Sequence, residues 1–441
     1  MVVSVACILN TLRCESVAGL DPGNYRGMYS RMSSPALLRS DAGIARRSPA
    51  PSSAITVDTA LGATLLHVTD DLSSLQDLWQ NLQMLSPCTA VQTYDWANAW
   101  SRHVLGPNSL RPVIAVGYGA DGRSAFLWPL QTARVAGFTV LKWLSQEHAN
   151  YCMGLFQPGT AARLTQTDLF RLLREVARKT GAVAAALEKQ PFGWDGVSNP
   201  FARLRHQPAP DFGFAATLGD FNTIYMSRIS GHARGHLRRT ERRIAEHGPL
   251  SYGWAEMREE RLQILDTLFA QKARQLGELG IKNSLDAHVR AFYREIALLE
   301  GDNPSRLRLG YFKVGDTVLA THSGMICHDR LTITLSSLTD GALKLYSPGS
   351  LLLRHQIEEA ARKGLAFYDL GAGAASYKDK WCDVVEPLFN SFIAFKPRGG
   401  LLAFALSSKA HAKRLIKSNP RAWDLVKRIR RTVRRYEPEP G

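Results

Sequence analysis

The stretch that decides the fold is "KLYSPGSLLLRHQIEEAARKGLAFYDLGAGAASYKDKW", residues 344–381. A turn containing Pro and Gly opens an amphipathic run, a short apolar run then ends in an acid, and glycines separate that acid from a Tyr-Lys pair and a Trp. The helical spacing of the apolar residues predicts a helix over 349–363, and the apolar run predicts a strand over 365–370. Glycines in the following segment predict a flexible loop.

The residues before this stretch predict a three-stranded antiparallel meander, because short apolar runs alternate with turn residues. Helical spacing of apolar residues precedes the meander, and the first helical segment is extremely basic. The strands are expected at 306–314, 317–327 and 330–339, and the helical segments at 221–247, 258–275 and 285–300.

The first half of the chain shows the same order of helices, meander, helix and strand. Its segments are a strand near 64–68, helices from Leu72 and over 93–104, strands at 111–119, 124–135 and 138–145, a helix over 166–180 and a strand over 182–188. The halves share this pattern and no residue-level identity. The sequence therefore predicts the fold class α/β, with mixed sheets of the α+β kind, in two tandem units.

Composition suggests where these units begin and end. Residues 1–56 are rich in Ser, Ala, Gly, Pro and Arg and lack a sustained apolar period, which indicates a disordered leader. The first domain is expected over 57–205 and the second over 206–400, with a boundary in the turn-rich segment between them. A basic helical tail is expected over 401–441.

Length and composition restrict the class of protein. With 441 residues, 45% of them hydrophobic, the chain can bury a large core. No apolar run approaches the roughly 20 residues that cross a bilayer, and the N-terminus lacks a basic region before its apolar run. Six scattered cysteines form no CxxC pair, so no metal site and no disulfide framework are predicted. We expect a soluble, unexported protein of the cytoplasm.

The formal charge of +16 is concentrated at the C-terminus, where residues 407–441 hold eleven Lys or Arg against three acids. Such a tail can contact tRNA, an anionic lipid surface at the inner face of a membrane, or an acidic partner. It is equally compatible with a solvated basic helix, interrupted at Pro420, that packs on the domain through Leu415, Ile416 and Trp423.

The turn Ser347-Pro348-Gly349-Ser350 carries little side-chain bulk. Backbone N–H groups of the first helical turn can therefore meet an anion, such as a pyrophosphate or a developing oxyanion. Pro at the start of a helix with Ser as a cap is also ordinary helix punctuation. The tetrapeptide alone favours the second interpretation.

Asp369 stands at the end of the predicted strand, directly before Gly371 and Gly373. In α/β sheets that end of a strand is where ligands bind. The acid can orient or deprotonate an amine nucleophile, or it can cap the following loop. Tyr377 can protonate a leaving thiolate and Lys378 can stabilise a developing negative charge, unless both belong to a surface turn anchored by an aromatic residue.

Two further features have open interpretations. Arg234, Arg238 and Arg242 lie four residues apart and form one cationic stripe, which can bind phosphates of coenzyme A, of a nucleotide-linked sugar or of tRNA, or can be a solvated face. His322, on a strand of the meander, is a candidate base or a core histidine.

These motifs together resemble the GNAT-type acyltransferases of the CelD group of cellulose biosynthesis, which are relatives of the Fem-type enzymes that add amino acids to peptidoglycan precursors. The resemblance is carried by "RGHLRRTERRIAEHG", "YSPGSLLLRHQIEEAARKG" and "YDLGAGAASYKDKW". It covers 220–396 well and 60–200 loosely. It implies two tandem GNAT-like acyl-CoA N-acyltransferase domains, the first degenerate, and acetyl-CoA or another acyl-CoA as co-substrate.

The resemblance also implies roles for residues at the matching positions. The catalytic residues would be Asp369, Tyr377 and Lys378. The donor would be bound by Ser347, Pro348, Gly349, Ser350 and Leu351, and the acceptor or its phosphates by Arg234, Arg238, Arg242 and Trp381. The usual pyrophosphate loop of GNAT enzymes, a Gln or Arg followed by spaced glycines, is absent, since a single glycine stands at this turn.

The leading hypothesis is an acyltransferase that moves an acyl group, acetyl in the first instance, from acyl-CoA to an amine or hydroxyl of a small-molecule or glycan-precursor acceptor in cell-envelope or exopolysaccharide biosynthesis. Two alternatives remain. One is a Fem-type transferase that takes its donor group from an aminoacyl-tRNA. The other is a non-catalytic scaffold of a polysaccharide assembly.

Overall fold

The computed structural model describes residues 50–419, 421, 422 and 426. Its strands are β1 Ile55–Thr59, β2 Gly62–Thr69, β3 Pro112–Tyr118, β4 Ser124–Val135, β5 Phe138–Trp143, β6 Leu155–Phe156, β7 Ala184–Pro191, β8 Gly193–Trp194, β9 Val197–Ser198, β10 Gln207–Thr217, β11 Leu250–Trp254, β12 Arg308–Val314, β13 Thr317–Cys327, β14 Arg330–Leu338, β15 Phe367–Ala372 and β16 Val384–Ala394. Its α-helices are α1 Gln76–Leu85, α2 Tyr94–Trp100, α3 Thr160–Arg163, α4 Gln166–Thr180, α5 Phe221–Arg228, α6 Gly231–Ala245, α7 Arg258–Glu278, α8 Ala287–Ala297, α9 Pro348–Arg362, α10 Ser376–Trp381 and α11 Pro397–Ser418.

The described residues fall into two compact units. The N-terminal unit comprises residues 50–211 and Pro387–Leu415, and the C-terminal unit comprises Phe212–Glu386 and the described residues from Ile416 onward. The predicted α/β fold with mixed sheets is confirmed, since each unit contains antiparallel strands and one parallel pair.

In the N-terminal unit the strands follow the order β1-β2-β3-β4-β5-β7-β16. The parallel pair is β5 with β7, and α4 lies between these strands in the chain. The apolar face of α4 is buried through Leu169, Leu172 and Val176. The tryptophans Trp96, Trp128 and Trp143 are buried as well.

In the C-terminal unit the order is β10-β15-β14-β13-β12-β11. The parallel pair is β14 with β15, and here α9 lies between the two strands in the chain. Leu353 and Ile357 of α9 pack with Tyr368 of β15, while Leu351 and Leu352 pack in a second cluster with residues of β12 and β13. Both units thus share the order meander, helix, parallel strand.

Three predicted segments differ from the structure. The helical segment 221–247 is two helices, because Asp220 caps α5 and Ser230 caps α6 through side-chain hydrogen bonds from Thr223 N and Ala233 N. The segment around Tyr377 was predicted as a loop and is the short helix α10. The C-terminal helix begins at Pro397, before the predicted tail.

The predicted domain limits, 57–205 and 206–400, stay predictions. The boundaries of the two compact units differ from them at the C-terminal end. Residues 387–415 belong to the N-terminal unit, since Leu388–Ala394 of β16 pair with β7. Residues 1–49 of the predicted leader, and most of the tail beyond Asn419, lie outside the described residues. Among the helices that the structure describes, none is both long and apolar enough to cross a membrane.

Candidate active site

The parallel strands β14 and β15 of the C-terminal unit are hydrogen-bonded to each other only over their first residues. Only Arg330–Thr332 of β14 pair with Phe367–Asp369 of β15. Beyond that point β14 continues as far as Leu338 paired with β13, and β15 continues to Ala372 paired with β10. The two strands therefore diverge at their carboxyl ends, which is where ligands bind in α/β sheets.

Helix α9 starts close in sequence after β14, and its first turn is not capped by a side chain. Ser347 is the N-cap residue, with φ of 52°, and its side chain accepts no capping hydrogen bond. Pro348 follows at the first helical position, where its missing N–H costs nothing. The N–H groups of the first turn are consequently not satisfied by a carboxylate or hydroxyl at the cap.

Two of the predicted donor-binding residues have a clear packing role. Leu351 is only 1% exposed and belongs to the core. A Cβ at Gly349 would lie 2.7 Å from Cδ2 of Leu338, so the glycine allows this leucine to approach the helix. Ser347, Gly349 and Ser350 are half-buried.

The corresponding places in the N-terminal unit are occupied by its own side chains. The carboxylate of Asp168 accepts hydrogen bonds from Thr165 N at 2.9 Å and Thr165 Oγ1 at 2.7 Å, while Thr165 Oγ1 accepts from Asp168 N, so α4 carries a closed capping box. Past β5, Gln146 Oε1 accepts from Glu188 N, and Lys189 Nζ donates to the Gln146 carbonyl. The side chains of Gln146 and Lys189 thus connect strand β7 to the segment that follows β5.

In the C-terminal unit, Asp369 and Lys378 both bind the glycine-containing backbone at the end of β15. Asp369 is fully buried, and its Oδ1 accepts from Gly371 N at 2.7 Å while its Oδ2 accepts from Arg330 Nη1 at 3.2 Å. Lys378 is 5% exposed, and its Nζ donates to the carbonyls of Gly371 at 3.1 Å and Gly373 at 2.7 Å. Two of the three predicted catalytic residues therefore meet at one segment of backbone.

Tyr377 precedes Lys378 on α10 and is 40% exposed, in contrast to its neighbour. Trp381, at the end of the same helix, is 4% exposed and stacks on Tyr225 at a centroid distance of 5.9 Å. The Trp381 carbonyl accepts from Arg228 Nη1 at 2.8 Å. The tryptophan anchors α10 against α5, so that its ring packs in the core.

The three arginines predicted on α6 are in different environments. Arg234 is half-buried, and its Nη1 donates to the carbonyls of Met226 and Ile229. Arg238 and Arg242 are exposed, and so are Arg239 and Arg243 beside them. None of these four arginines forms an ion pair with an acid of the described part of the chain. Leu237, Thr240 and Ile244 occupy the buried face of the same helix.

His322 lies in a buried polar network that joins β13, α9 and β15. Its Nδ1 is 2.8 Å from Gln356 Oε1, and the Tyr368 hydroxyl donates to the same oxygen at 2.8 Å. Because burial disfavours the imidazolium, the pKa of His322 is lowered to about 4. Burial also raises the pKa of the Tyr368 hydroxyl. Both groups are neutral at physiological pH.

Sequence reasoning missed Arg330, Gln356 and Tyr368. Arg330 opens β14 and reaches Asp369 across the parallel ladder, a contact between residues 39 positions apart. The adjacent pairing of β14 with β15 could have suggested it, because Arg330 and Phe367 are register partners. Nothing in the sequence joins Gln356 to His322, since their contact depends on how α9 crosses β13.

Comparison with known proteins agrees with this geometry. Residues 231–379, about a third of the chain, match the family model described as "Acetyltransferase (GNAT) domain". The match contains α6 to the start of α10, including the divergent strands and the start of α9. This chain therefore contains a GNAT acetyltransferase domain and is an enzyme of the N-acyltransferase class. No curated protein sequence matches the chain.

Several solved structures are similar in fold. A structure described as FemX is 11% identical, with a TM-score of 0.53, and the similarity covers 76% of this chain and 99% of that one. The C-terminal domain of a putative lysylphosphatidylglycerol synthetase from Agrobacterium fabrum is 12% identical, with a TM-score of 0.45, covering 77% and 96%. A tandem GNAT protein of clavulanic acid biosynthesis is 13% identical, with a TM-score of 0.40, covering 75% and 99%. At these identities the similarities concern the fold alone.

Proposed function

We propose that the chain transfers an acyl group, acetyl in the simplest case, from acyl-CoA to an amine or hydroxyl acceptor, and that the C-terminal unit alone binds the donor. The observation that carries this proposal is the difference between the two units. In the C-terminal unit the parallel strands diverge beside a helix start without a side-chain cap. In the N-terminal unit a capping box and the side chains of Gln146 and Lys189 occupy the corresponding places.

The chemistry needs no covalent enzyme intermediate. The acceptor nitrogen or oxygen forms a bond to the thioester carbonyl carbon, the C–S bond breaks, and the departing thiolate takes up one proton as the acceptor loses one. Backbone N–H groups at the start of α9 are suited to the pyrophosphate, and an N–H near the diverging strands can polarise the carbonyl. Tyr377, which is 40% exposed, is our candidate for the group that protonates the thiolate.

Asp369 and Lys378 receive positioning roles in this proposal. Both oxygens of Asp369 accept hydrogen bonds, and Lys378 Nζ is held by two carbonyls. These contacts support a role in fixing the segment that leads from β15 to Tyr377. The resemblance to the CelD group supports an acceptor among cell-envelope or exopolysaccharide precursors, and small amino sugars and sugar nucleotides are the first acceptors to screen.

The test is calorimetric titration with acetyl-CoA of the natural chain and of two variants that add the same charge to different helices. Ser350→Glu places a carboxylate in the first turn of α9, where an acid is compatible with helix stability. We expect it to weaken acetyl-CoA binding by at least about ten-fold through repulsion of the pyrophosphate. The matched control is Gln166→Glu at the first position of α4, which should leave binding unchanged.

Two results would contradict the proposal. Weakening by Gln166→Glu with no effect of Ser350→Glu would move the donor to the N-terminal unit. Absence of acyl-CoA binding, together with tRNA binding that weakens steeply with salt, would favour an aminoacyl-tRNA donor. The exposed side chains of Arg238, Arg239, Arg242 and Arg243 are the observation that favours this second candidate.

A further inference from the structure

Helix α11 has one face packed on the N-terminal unit and another face that is apolar and exposed. Leu402 and Ala403 are buried, and Leu402 packs with Val140 of β5 and Ala186 of β7. Ser407 Oγ donates to Gln207 Oε1 at 2.7 Å, and the Ser407 carbonyl accepts from Gln207 Nε2. The orientation of the helix on this unit is therefore fixed by packing and by side-chain hydrogen bonds.

The opposite face presents large apolar side chains to solvent. Leu401 is 79% exposed and Phe404 is 72% exposed, while Leu415 is 56% exposed near the end of the helix. The exposed positions of this face recur at intervals of three or four residues and therefore form one stripe along the helix. The stripe is roughly 21 Å long at 1.5 Å per residue. Its exposed members are Leu401, Phe404, Ala405, Ser408, Ala412 and Leu415.

The same helix is strongly basic. Its 22 residues include five Lys or Arg and no acid. On a helical wheel Arg398 and Lys409 border the apolar stripe on one side, and Arg414 lies beyond its other edge. A helix with an exposed apolar stripe, long basic side chains beside it and few other charges has the pattern of a helix that lies in the interface of a membrane.

We propose that α11 docks the N-terminal unit onto an anionic lipid surface, with Leu401 and Phe404 inserted among the acyl chains and the flanking Lys and Arg side chains at the headgroups. The charge of α11 favours a lipid surface over a second copy of the chain. A helix with five cations and no acid is attracted to an anionic leaflet, whereas two such helices would repel each other. The proposal is independent of the reaction and of the identity of the acyl donor.

The test is co-sedimentation of the full chain with vesicles of phosphatidylcholine alone and of phosphatidylcholine mixed with phosphatidylglycerol. We expect binding to the anionic vesicles that weakens with salt, and weak binding to the neutral ones. The double variant Leu401→Gln/Phe404→Gln should weaken binding by at least about ten-fold, because two large apolar side chains are lost from the acyl region. Arg398→Gln should weaken it by about five-fold, as expected for one cation at a charged surface.

The matched control is Met84→Gln, which changes another apolar side chain of the same unit, 78% exposed, on α1. It should bind vesicles as the natural chain does. Thermal unfolding checks that each variant is folded, and the double variant should melt no lower than the control, since its side chains make no core contact.

Several outcomes would overturn the proposal. Equal binding to neutral and anionic vesicles, or undiminished binding by the double variant, would exclude docking through this charged stripe. A dimer that becomes a monomer in the double variant, without vesicle binding, would show that a second copy covers the stripe. A large drop in melting temperature without vesicle binding would show that another part of the chain covers it.

Discussion

Lys378 and Asp369 hold the same glycine through its two backbone groups. Lys378 Nζ donates to the carbonyl of Gly371 at 3.1 Å, and Asp369 Oδ1 accepts from the amide of Gly371 at 2.7 Å. Gly371 has φ of 72°, a conformation that other residues rarely adopt. Two charged side chains therefore fix a backbone conformation that glycine makes accessible, at the end of the strand that precedes the helix carrying Tyr377.

The first prediction concerns Lys378→Met. The substitution keeps the length of the side chain and removes its donors, so that the buried carbonyls of Gly371 and Gly373 lose a partner. We expect the free energy of unfolding to fall by about 1–3 kcal/mol, the usual cost of an unsatisfied buried group. We also expect kcat for acyl transfer to fall by at least about ten-fold, because the side chain of Tyr377 is no longer held in position.

Lys380→Met is the control, since Lys380 is exposed on the same short helix. Urea unfolding gives the stability, and steady-state kinetics with acetyl-CoA separates kcat from KM. A positioning role requires that kcat falls while acetyl-CoA binding, measured by calorimetry, is retained. Equal loss of stability with unchanged kcat would assign Lys378 to folding alone.

The apolar periodicity of the sequence predicts several helices and strands of the fold correctly, but it predicts less of the site. The limits of α4, β4 and β13 agree with the apolar periodicity, because each forms a continuous run bounded by turn residues. Strand β16 and the start of α11 were not predicted. Most of β16 and the start of α11 lie in the N-terminal unit, although they follow Phe212–Glu386 of the C-terminal unit in sequence. Periodicity carries no information about such long-range pairing.

Contacts between residues that are distant in sequence were not predicted in the candidate active site either. The sequence "YDLGAGAASYKDKW" predicted an acid at the end of a strand, before two glycines, and it did not predict that the side chain of Asp369 is fully buried. The partners of that acid depend on tertiary structure: Arg330 comes from the neighbouring parallel strand. Spacing also could not separate Tyr377 from Lys378, of which the first is exposed and the second buried, because a helix was not anticipated there.

The second prediction concerns the pH dependence that His322 gives to stability. Burial lowers its pKa to about 4 in the folded chain, below the ordinary value near 6.5. Between these two values the unfolded chain binds a proton that the folded chain does not. The free energy of unfolding should therefore fall as pH decreases through this window, by about 3 kcal/mol at 1.36 kcal/mol per pKa unit.

His322→Asn isolates this contribution, because the amide keeps a donor for Gln356 and does not titrate. The measurement is urea unfolding of both proteins at about pH 7 and about pH 5, inside the range where an ordinary histidine titrates. The natural chain should lose more stability than the variant over this interval. Equal losses would mean that other groups, such as His355 or His67, whose pKa values burial also lowers, account for the acid sensitivity.

The third prediction uses two adjacent glycines of α11 that differ in their surroundings. A Cβ at Gly399 would overlap the carbonyl oxygen of Val183, a backbone atom that cannot rotate away. Gly399→Ala should therefore lower the free energy of unfolding by about 1–3 kcal/mol, the usual cost of overpacking. A Cβ at Gly400 would meet nothing within 4 Å, so Gly400→Ala should raise stability by up to about 1 kcal/mol through helix propensity.

The two variants control each other, because both add one methyl group to neighbouring positions of the same helix. Thermal and urea unfolding followed by circular dichroism give the comparison. Close packing of α11 on the N-terminal unit requires opposite signs for the two changes. If Gly399→Ala stabilises the chain as Gly400→Ala does, then α11 does not lie against Val183, and the orientation that exposes Leu401 and Phe404 loses its structural basis.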